Sequence, residues 1–483
     1  MMDYEEIHGE FLQLEDELDL FSVNINDVYI WERIRIIVYK EFLREKGIIE
    51  DTRSQTFFLS EYKTSYKYAR FLYEFVSDLL IKNPYLTTSS YELCFFGHSR
   101  RKKREDNYWW DIYSDPIIED LERDYIYFEK PYQGVHRTPT RTNNIKYLDL
   151  IRDIGIISSK ISSGVSLSPI ECDKIQQITD KFSSKLEIQI DLSNIIKGYL
   201  DRRQVSRPMY IRLLKQINPK ISIVVAASYN TVFVEACKEL DIPVVELQHG
   251  GSHHRNPKYV FPEDVSLDVQ PDYHFLFGKF WKDTVDYHLD DEDVYTVGFP
   301  YLEEEYEKYS NLDKKKQVIF ISQPPVGSKL SKLASKIGER NPEYNIVYKL
   351  HPKENNIWKR EYPWLIEAPV TVIDDDSTPL YKHLAESAIQ VGCNSTVIYE
   401  GLIFDLETYL LDSDGTASMR MKELIDNSSV STISSIDELS QKVSQHTMNA
   451  KGTIDTDYFF NPNAVQNIEA ALEDVIKQEN NIN

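Results

Sequence analysis

The sequence is short of cysteine, short of basic residues and without any long apolar run. Four cysteines in 483 residues, Cys94, Cys172, Cys237 and Cys393, stand far apart and form no Cys-x-x-Cys pair. That excludes a disulfide framework, and free, buried thiols in a reducing compartment are expected. Lysine and arginine number 55 against 78 aspartates and glutamates, a formal net charge of −23. Phosphate backbones need a surplus of basic residues, so a general nucleic-acid binder is excluded, whereas a nucleotide ligand needs only local donors. No apolar stretch approaches the roughly 20 residues of a membrane span. The acidic start, Met1-Met2-Asp3-Tyr4-Glu5-Glu6, carries no apolar signal segment. A cytoplasmic location is therefore expected, peripheral at the inner face of the membrane if the aromatic face of segment 66–81 lies on lipid. Packing of that face on another helix is the more ordinary outcome.

What is present suits two sizeable cores: 41% hydrophobic and 12% aromatic residues over a length too great for one. Residues 1–85 have helical spacing, including a helix from Ile30 that stops near Gly47. From Tyr91 the period becomes that of strands, at 91–97, 125–128 and 146–150, followed by a helical region over 170–217. Strand 221–228, helix 231–240 and strand 242–247 form a β-α-β unit, which requires a parallel sheet. After a connection over 257–316 a second alternation starts at Gln317, with strands near Ile346, Val370, Ile389 and Thr408. Thr378 as cap with Pro379 at the first position predicts a helix start, and a final amphipathic helix spans 463–477. The fold class is α/β: a helical extension (1–85) and two Rossmann-like domains (86–300 and 301–483), hinged near Gly298-Phe299-Pro300.

Three stretches carry chemistry. Ile346-Val347-Tyr348-Lys349-Leu350-His351-Pro352 reads as a buried strand stopped by proline, with Lys349 and His351 on one face. In Gly392-Cys393-Asn394-Ser395-Thr396 a strand turns into a helix capped by Asn394 or Ser395. The first N–H groups of such a helix lack intrahelical acceptors and its dipole favours phosphate. Glu246-Leu247-Gln248-His249-Gly250-Gly251 ends the β-α-β unit. Gln323, after the first strand of the second series, is placed to line a base pocket. The basic run 99–104 is expected as solvated loop, with an anionic acceptor or lipid headgroup as the alternative. His253-His254 and Asp374-Asp375-Asp376 lack metal-ligand spacing, so no metal is expected.

Gln248-His249-Gly250, then Lys349-Leu350-His351-Pro352, then Asn394-Ser395-Thr396 with Glu400, each at a strand end, resemble the GT-B glycosyltransferases that polymerise capsule, teichoic acid and sialic acid. The CDP-glycerol glycerophosphotransferases are among them, and the resemblance covers about residues 90–475. It implies a nucleotide-activated sugar or polyol donor, a glycan or lipid-linked acceptor, and neither metal nor further cofactor. His249 would be the base, with Glu246 its rival. His351 and Lys349 would stabilise the leaving diphosphate. Asn394, Ser395 and Thr396 would hold phosphate and Glu400 the ribose. The sialyltransferase branches place an acidic pair before the glycine. Here the residue before it is His249, which matches the histidine-bearing branch. Two other readings stand beside this one. A non-hydrolysing UDP-sugar 2-epimerase would need several acidic groups in the cleft. A catalytically silent scaffold would bind a glycan or partner proteins.

Overall fold

The computed structural model describes residues 4–47, 82–98, 101–132, 135–154, 164–324, 326–374, 378–427, 430–447 and 454–482. The helix expected over 66–81 lies outside them. The first sheet has seven parallel strands: β1 (Leu93–Phe96), β2 (Tyr125–Glu129), β3 (Ile145–Tyr147), β4 (Ile221–Val225), β5 (Val244–Leu247), β6 (Tyr273–Leu276) and β7 (Val294–Thr296), in the order β7-β6-β5-β4-β1-β2-β3. The second has six: β8 (Gln317–Ile321), β9 (Asn345–Lys349), β10 (Val370–Ile373), β11 (Ile389–Gly392), β12 (Glu407–Leu411) and β13 (Ser431–Ile433), in the order β10-β9-β8-β11-β12-β13. Both wind outward from the middle in two directions. The winding reverses between β1 and β4 and again between β8 and β11, which opens a crevice at those carboxyl ends. Strands β1, β4, β5, β8 and β11 are buried at every residue. That is why they read as mostly apolar runs rather than alternating ones.

The extension is not a free appendage. Helices α1 (Tyr4–Glu17) and α2 (Ile30–Glu45) share one core with α3 (Pro169–Leu186) and α4 (Leu192–Ile217), in which Phe11, Trp31 and Phe42 meet Phe182 and Ile196. The Arg35 guanidinium grips Glu15 through two 2.6 Å bonds and donates to the carbonyls of Pro257 and Val260 at 2.7 Å. Glu32 accepts from the N–H groups of Asp268 and Val269 at 2.9 and 3.0 Å. Arg35 and Glu32 thus anchor the loop that follows β5.

Helix α5 (Thr231–Lys238) completes the β-α-β unit, and the short α6 (Thr396–Leu402) follows β11. The terminal helix α7 (Ala464–Ile482) crosses back to the first sheet, where Ile468, Leu472 and Val475 join Leu93 and Phe275. Glu303 accepts from the N–H groups of Asn463 and Ala464 at 2.7 and 2.8 Å and caps α7, its charge meeting the helix dipole. Gly298, at φ +98, lies against this junction, and a Cβ there would overlap Asn461 and Ala464. Two expectations need correction. The helix near 378 begins at Leu380, and Pro379, with ψ 140, lies just outside it. Its fixed φ is helical but its ψ stays extended, so Thr378 does not cap. Cys172 is exposed while the other three thiols are buried, because the first turns of α3 face solvent.

Candidate functional site

The crevices of the two sheets face each other, and the loop after β5 bridges them. Gln248 fixes that loop: its amide oxygen accepts from the Phe277 N–H at 2.8 Å and its NH2 donates to the Gly250 carbonyl at 2.9 Å. His249 follows, half-buried. Its carbonyl accepts from the Tyr113 hydroxyl at 2.8 Å, and Lys258 Nζ lies 3.4 Å from its Nε2. Burial, then the charge of Lys258, holds the imidazole pKa well below its ordinary value, so the ring is neutral at physiological pH.

The residue that sequence reasoning missed is His98, at the tip of β1. Its ring centroid is 6.5 Å from that of His249, and its N–H donates to Asp111 at 3.0 Å. Asp111 also accepts from the buried Tyr127 hydroxyl at 2.7 Å. Gly97 has no side chain because a Cβ would overlap that tyrosine ring. The Nδ1 atoms of His98 and His249 are both buried with no hydrogen-bond partner among the described residues. Buried polar atoms are seldom left so, and here two of them sit at a switch point. The available signal was Phe96-Gly97-His98 directly after the first strand of a parallel sheet.

In the second domain Gln323 Oε1 accepts from the Asn394 N–H at 3.0 Å, tying the ends of β8 and β11 together. Ser395 is the cap of α6, its Oγ accepting from the Val397 N–H at 3.3 Å. Thr396 Oγ1 accepts from the Gly251 N–H at 2.9 Å, across the cleft. A Cβ on Gly250 would stand 3.3 Å from the same oxygen, so the glycine pair permits the approach. Both hydroxyls act here as acceptors, which leaves each O–H able to donate to an anion.

Glu246, Glu400, Lys349 and His351 complete the expected set. Glu246 is buried within β5, accepting from the Ala227 N–H at 3.2 Å and the Tyr259 hydroxyl at 3.3 Å. Burial lifts its pKa to about 7 against the pull of Lys258. Glu400 is buried on α6 and accepts from the Tyr381 hydroxyl at 2.9 Å; burial raises its pKa too. Lys349 ends β9, one strand from the switch point. His351 is tied into the turn beyond it, its N–H donating to Glu354 at 2.8 Å and its Nδ1 accepting from the Lys353 N–H at 3.2 Å.

The basic run corrects an expectation. Ser99 and Arg100 lie outside the described residues; of the rest only Lys103 is exposed. Arg101 is buried against Asp115 (3.0 Å) and Glu129. Arg104 pairs with Glu304 at 2.8 Å, and Lys102 stands 5.3 Å from the ring centroids of Tyr301 and Tyr381. Acidic and aromatic partners from the segment after residue 300 absorb the charges of Arg104 and Lys102. The two adjacent histidines diverge: His254 pairs with Glu423 at 2.5 Å, while His253 accepts from the Arg255 N–H at 3.4 Å. Asp374 accepts from the Trp358 indole at 3.0 Å. Among the described residues no three His, Cys, Asp or Glu side chains gather to hold a metal, and no helix is long and apolar enough to cross a membrane.

No protein-family model and no curated protein matches the chain. Among solved structures it is similar to a putative UDP-N-acetylglucosamine 2-epimerase from Listeria monocytogenes (12% identity, 81% of this chain and 97% of that one, TM-score 0.47). It is similar also to a UDP-GlcNAc 2-epimerase from Neisseria meningitidis bound to UDP-GlcNAc (13%, 79% and 99%, 0.47). A third is the spinosyn rhamnosyltransferase SpnG complexed with spinosyn aglycone (11%, 80% and 92%, 0.38). At such identities chemistry has to be read from this chain's own residues. With two facing parallel sheets and a terminal helix that returns to the first, the chain has the GT-B architecture.

Proposed function

We propose that the protein is a metal-independent transferase that moves a sugar, or a polyol phosphate, from a nucleotide-activated donor to a glycan or lipid-linked acceptor in surface polysaccharide or glycoconjugate synthesis. The observation that carries this reading is the meeting, across one cleft, of His249 with its unpartnered Nδ1 and the hydroxyl-lined start of α6. The acceptor hydroxyl oxygen forms a bond to the donor carbon, or to phosphorus for a polyol donor. Its proton passes to Nδ1 of His249. The bond from the reacting centre to the nucleotide oxygen breaks, and its electron pair leaves with the nucleotide. For Nδ1 to accept a proton, Nε2 must carry one, with the Lys258 ammonium drawn from it toward Glu246. Ser395, Thr396 and the N–H groups around them take the donor phosphates, Asn394 and Gln323 fix that strand end, and Lys349 with His351 offsets charge on the leaving group.

In this reading the first domain takes the acceptor and the second the donor, divided near residue 300. The donor is a substrate, no further cofactor takes part, and the work is done in the cytoplasm with peripheral membrane contact through a lipid-linked acceptor. The test is to incubate nucleotide sugars and CDP-glycerol with and without glycan acceptors. Nucleotide release that depends on acceptor supports the proposal. Interconversion of UDP-sugar epimers without acceptor would make the protein an epimerase. Nucleotide or glycan binding with no turnover would make it a scaffold.

A further inference from the structure

Lys40 belongs to α2, in the extension that lies outside the GT-B resemblance, yet its side chain reaches the cleft. A cavity of about 300 Å3 lies between α2, the loop after β5 and the start of α6. Its charged walls are Lys40 from α2, Lys258 from the loop and Arg420, which ends the short helix Thr416–Arg420 of the second domain. Asn394 and Gly251 form the edge nearest the donor site. No aspartate or glutamate is among its described lining residues. The ammonium groups of Lys40 and Lys258 stand 4.1 and 5.2 Å from the centroid of one ring, that of Tyr229. Two cations held against one ring in a walled space repel each other. A cavity lined by one sign of charge focuses a positive potential inside it. Glu246 partly offsets Lys258 from beneath, and Glu423 is occupied by His254. Burial, then the charges of Lys258, Arg44 and Lys353, lowers the Lys40 pKa to about 8. The loop that carries Lys258 is fixed by the Arg35 bonds to the carbonyls of Pro257 and Val260, so α2 supplies one cation and positions the second.

We propose that this cavity is an oxyanion site for a phosphate or carboxylate on the sugar or polyol unit beside the reacting centre, with Lys40 a specificity-determining residue. The site itself stands on the cavity; the identity of the unit it holds rests on the transferase reading. The substrate is thus an acidic sugar or a polyol phosphate rather than a neutral hexose.

The test is calorimetric titration of the full chain with inorganic phosphate and, separately, with glucuronate, each with and without saturating UDP or CDP. One of the two probes binds the wild type with or without nucleotide, and which one binds distinguishes phosphate from carboxylate. Lys40→Met weakens that probe at least tenfold at an unchanged melting temperature, and Lys40→Arg restores it. Affinity falls as pH rises through about 8, where Lys40 loses its proton. Equal probe affinity in wild type and Lys40→Met would overturn the site, as would failure of both probes to bind. Mutual exclusion of probe and nucleotide would also overturn it, because the anion would then occupy the donor's own phosphate site. The transferase reading fails on a different result, the absence of acceptor-dependent nucleotide release. Each idea can therefore fall alone.

Discussion

The N–H of Gly251 in the first domain donates to the hydroxyl of Thr396 in the second at 2.9 Å. The bond joins the loop after β5 to the start of α6, so the tips of the two switch-point crevices touch. A ligand with one end on each sheet has to bind beside this contact.

Thr396→Val removes the hydroxyl and keeps the shape. Gly251 is exposed, so water replaces the lost acceptor and folding stability changes by less than about 0.5 kcal/mol. Donor binding loses one O–H donor and one interdomain tie, and affinity falls about tenfold, about 1.4 kcal/mol. Thr396→Ser restores it. Calorimetry with the donor nucleotide checks this, and an unchanged affinity in the valine variant would remove Thr396 from the phosphate site.

His249→Ala lowers single-turnover transfer by about 10²–10⁴-fold with donor affinity unchanged, the usual worth of a general base. His351→Ala lowers donor affinity and transfer together, because a phosphate contact is made in both ground and transition states. His98→Ala tests the neighbour: it lowers transfer less than His249→Ala, since its ring flanks the base without replacing it. Normal turnover in His249→Ala would make Glu246 the preferred base.

The two sheets were legible because buried parallel strands leave apolar runs, and a strand, a short helix and a strand in sequence permit little else. The cap at Ser395 and the glycine pair at 250–251 were legible because each residue type has few uses. His98 was not, because one histidine after one strand acquires meaning only when β1 and β4 are known to flank the switch point. Glu246, the rival base, and Glu400, the expected ribose ligand, are both buried and accept from tyrosines. The partners that bury them, Tyr259 and Tyr381, come from 13 and 19 residues away. The anchoring of the extension was hidden for the same reason: Arg35 meets Pro257 and Val260 more than 200 residues later.

Glu15→Gln should separate the extension's role in folding from its role at the cleft. The side chains of Glu15 and Arg35 are each 2% exposed. Removing one charge of a buried pair leaves the other uncompensated, at a cost of about 3–5 kcal/mol. The urea midpoint of Glu15→Gln falls accordingly. A loss below about 1 kcal/mol would mean that water reaches Arg35 and that the pair is not buried in solution.

Gly298→Ala probes the junction proposed as a hinge. At φ +98 an L side chain is strained, and the added methyl would overlap Asn461 and Ala464. Overpacking of this kind costs about 1–3 kcal/mol. Because α7 is the element displaced, hydrogen exchange should rise first along 464–482 and under the adjoining first sheet. Protection unchanged there would show that the chain relaxes around residue 298 without moving the terminal helix.

His136 gives the protein a pH dependence on the alkaline side. Its ring stacks on Tyr147 with centroids 3.5 Å apart, and its two nitrogens bond to Glu129 and Asp149, each at 2.7 Å. Burial opposes the imidazolium, but the two carboxylates outweigh it and raise the pKa from 6.5 to about 9. A proton held more tightly in the folded state stabilises that state fully below pH 6.5. The contribution fades as pH rises through about 9, where the folded protein also releases the proton. At about 1.4 kcal/mol per pH unit the span is worth about 3 kcal/mol. His136→Gln removes the titration, and other groups cancel when the two proteins are compared at each pH. The stability gap between wild type and variant, from urea denaturation, should be about 3 kcal/mol larger near pH 6 than near pH 9.5. A gap that stays constant from pH 6 to 9.5 would mean that His136 is neutral in the folded protein and that Glu129 is held by Arg101 alone.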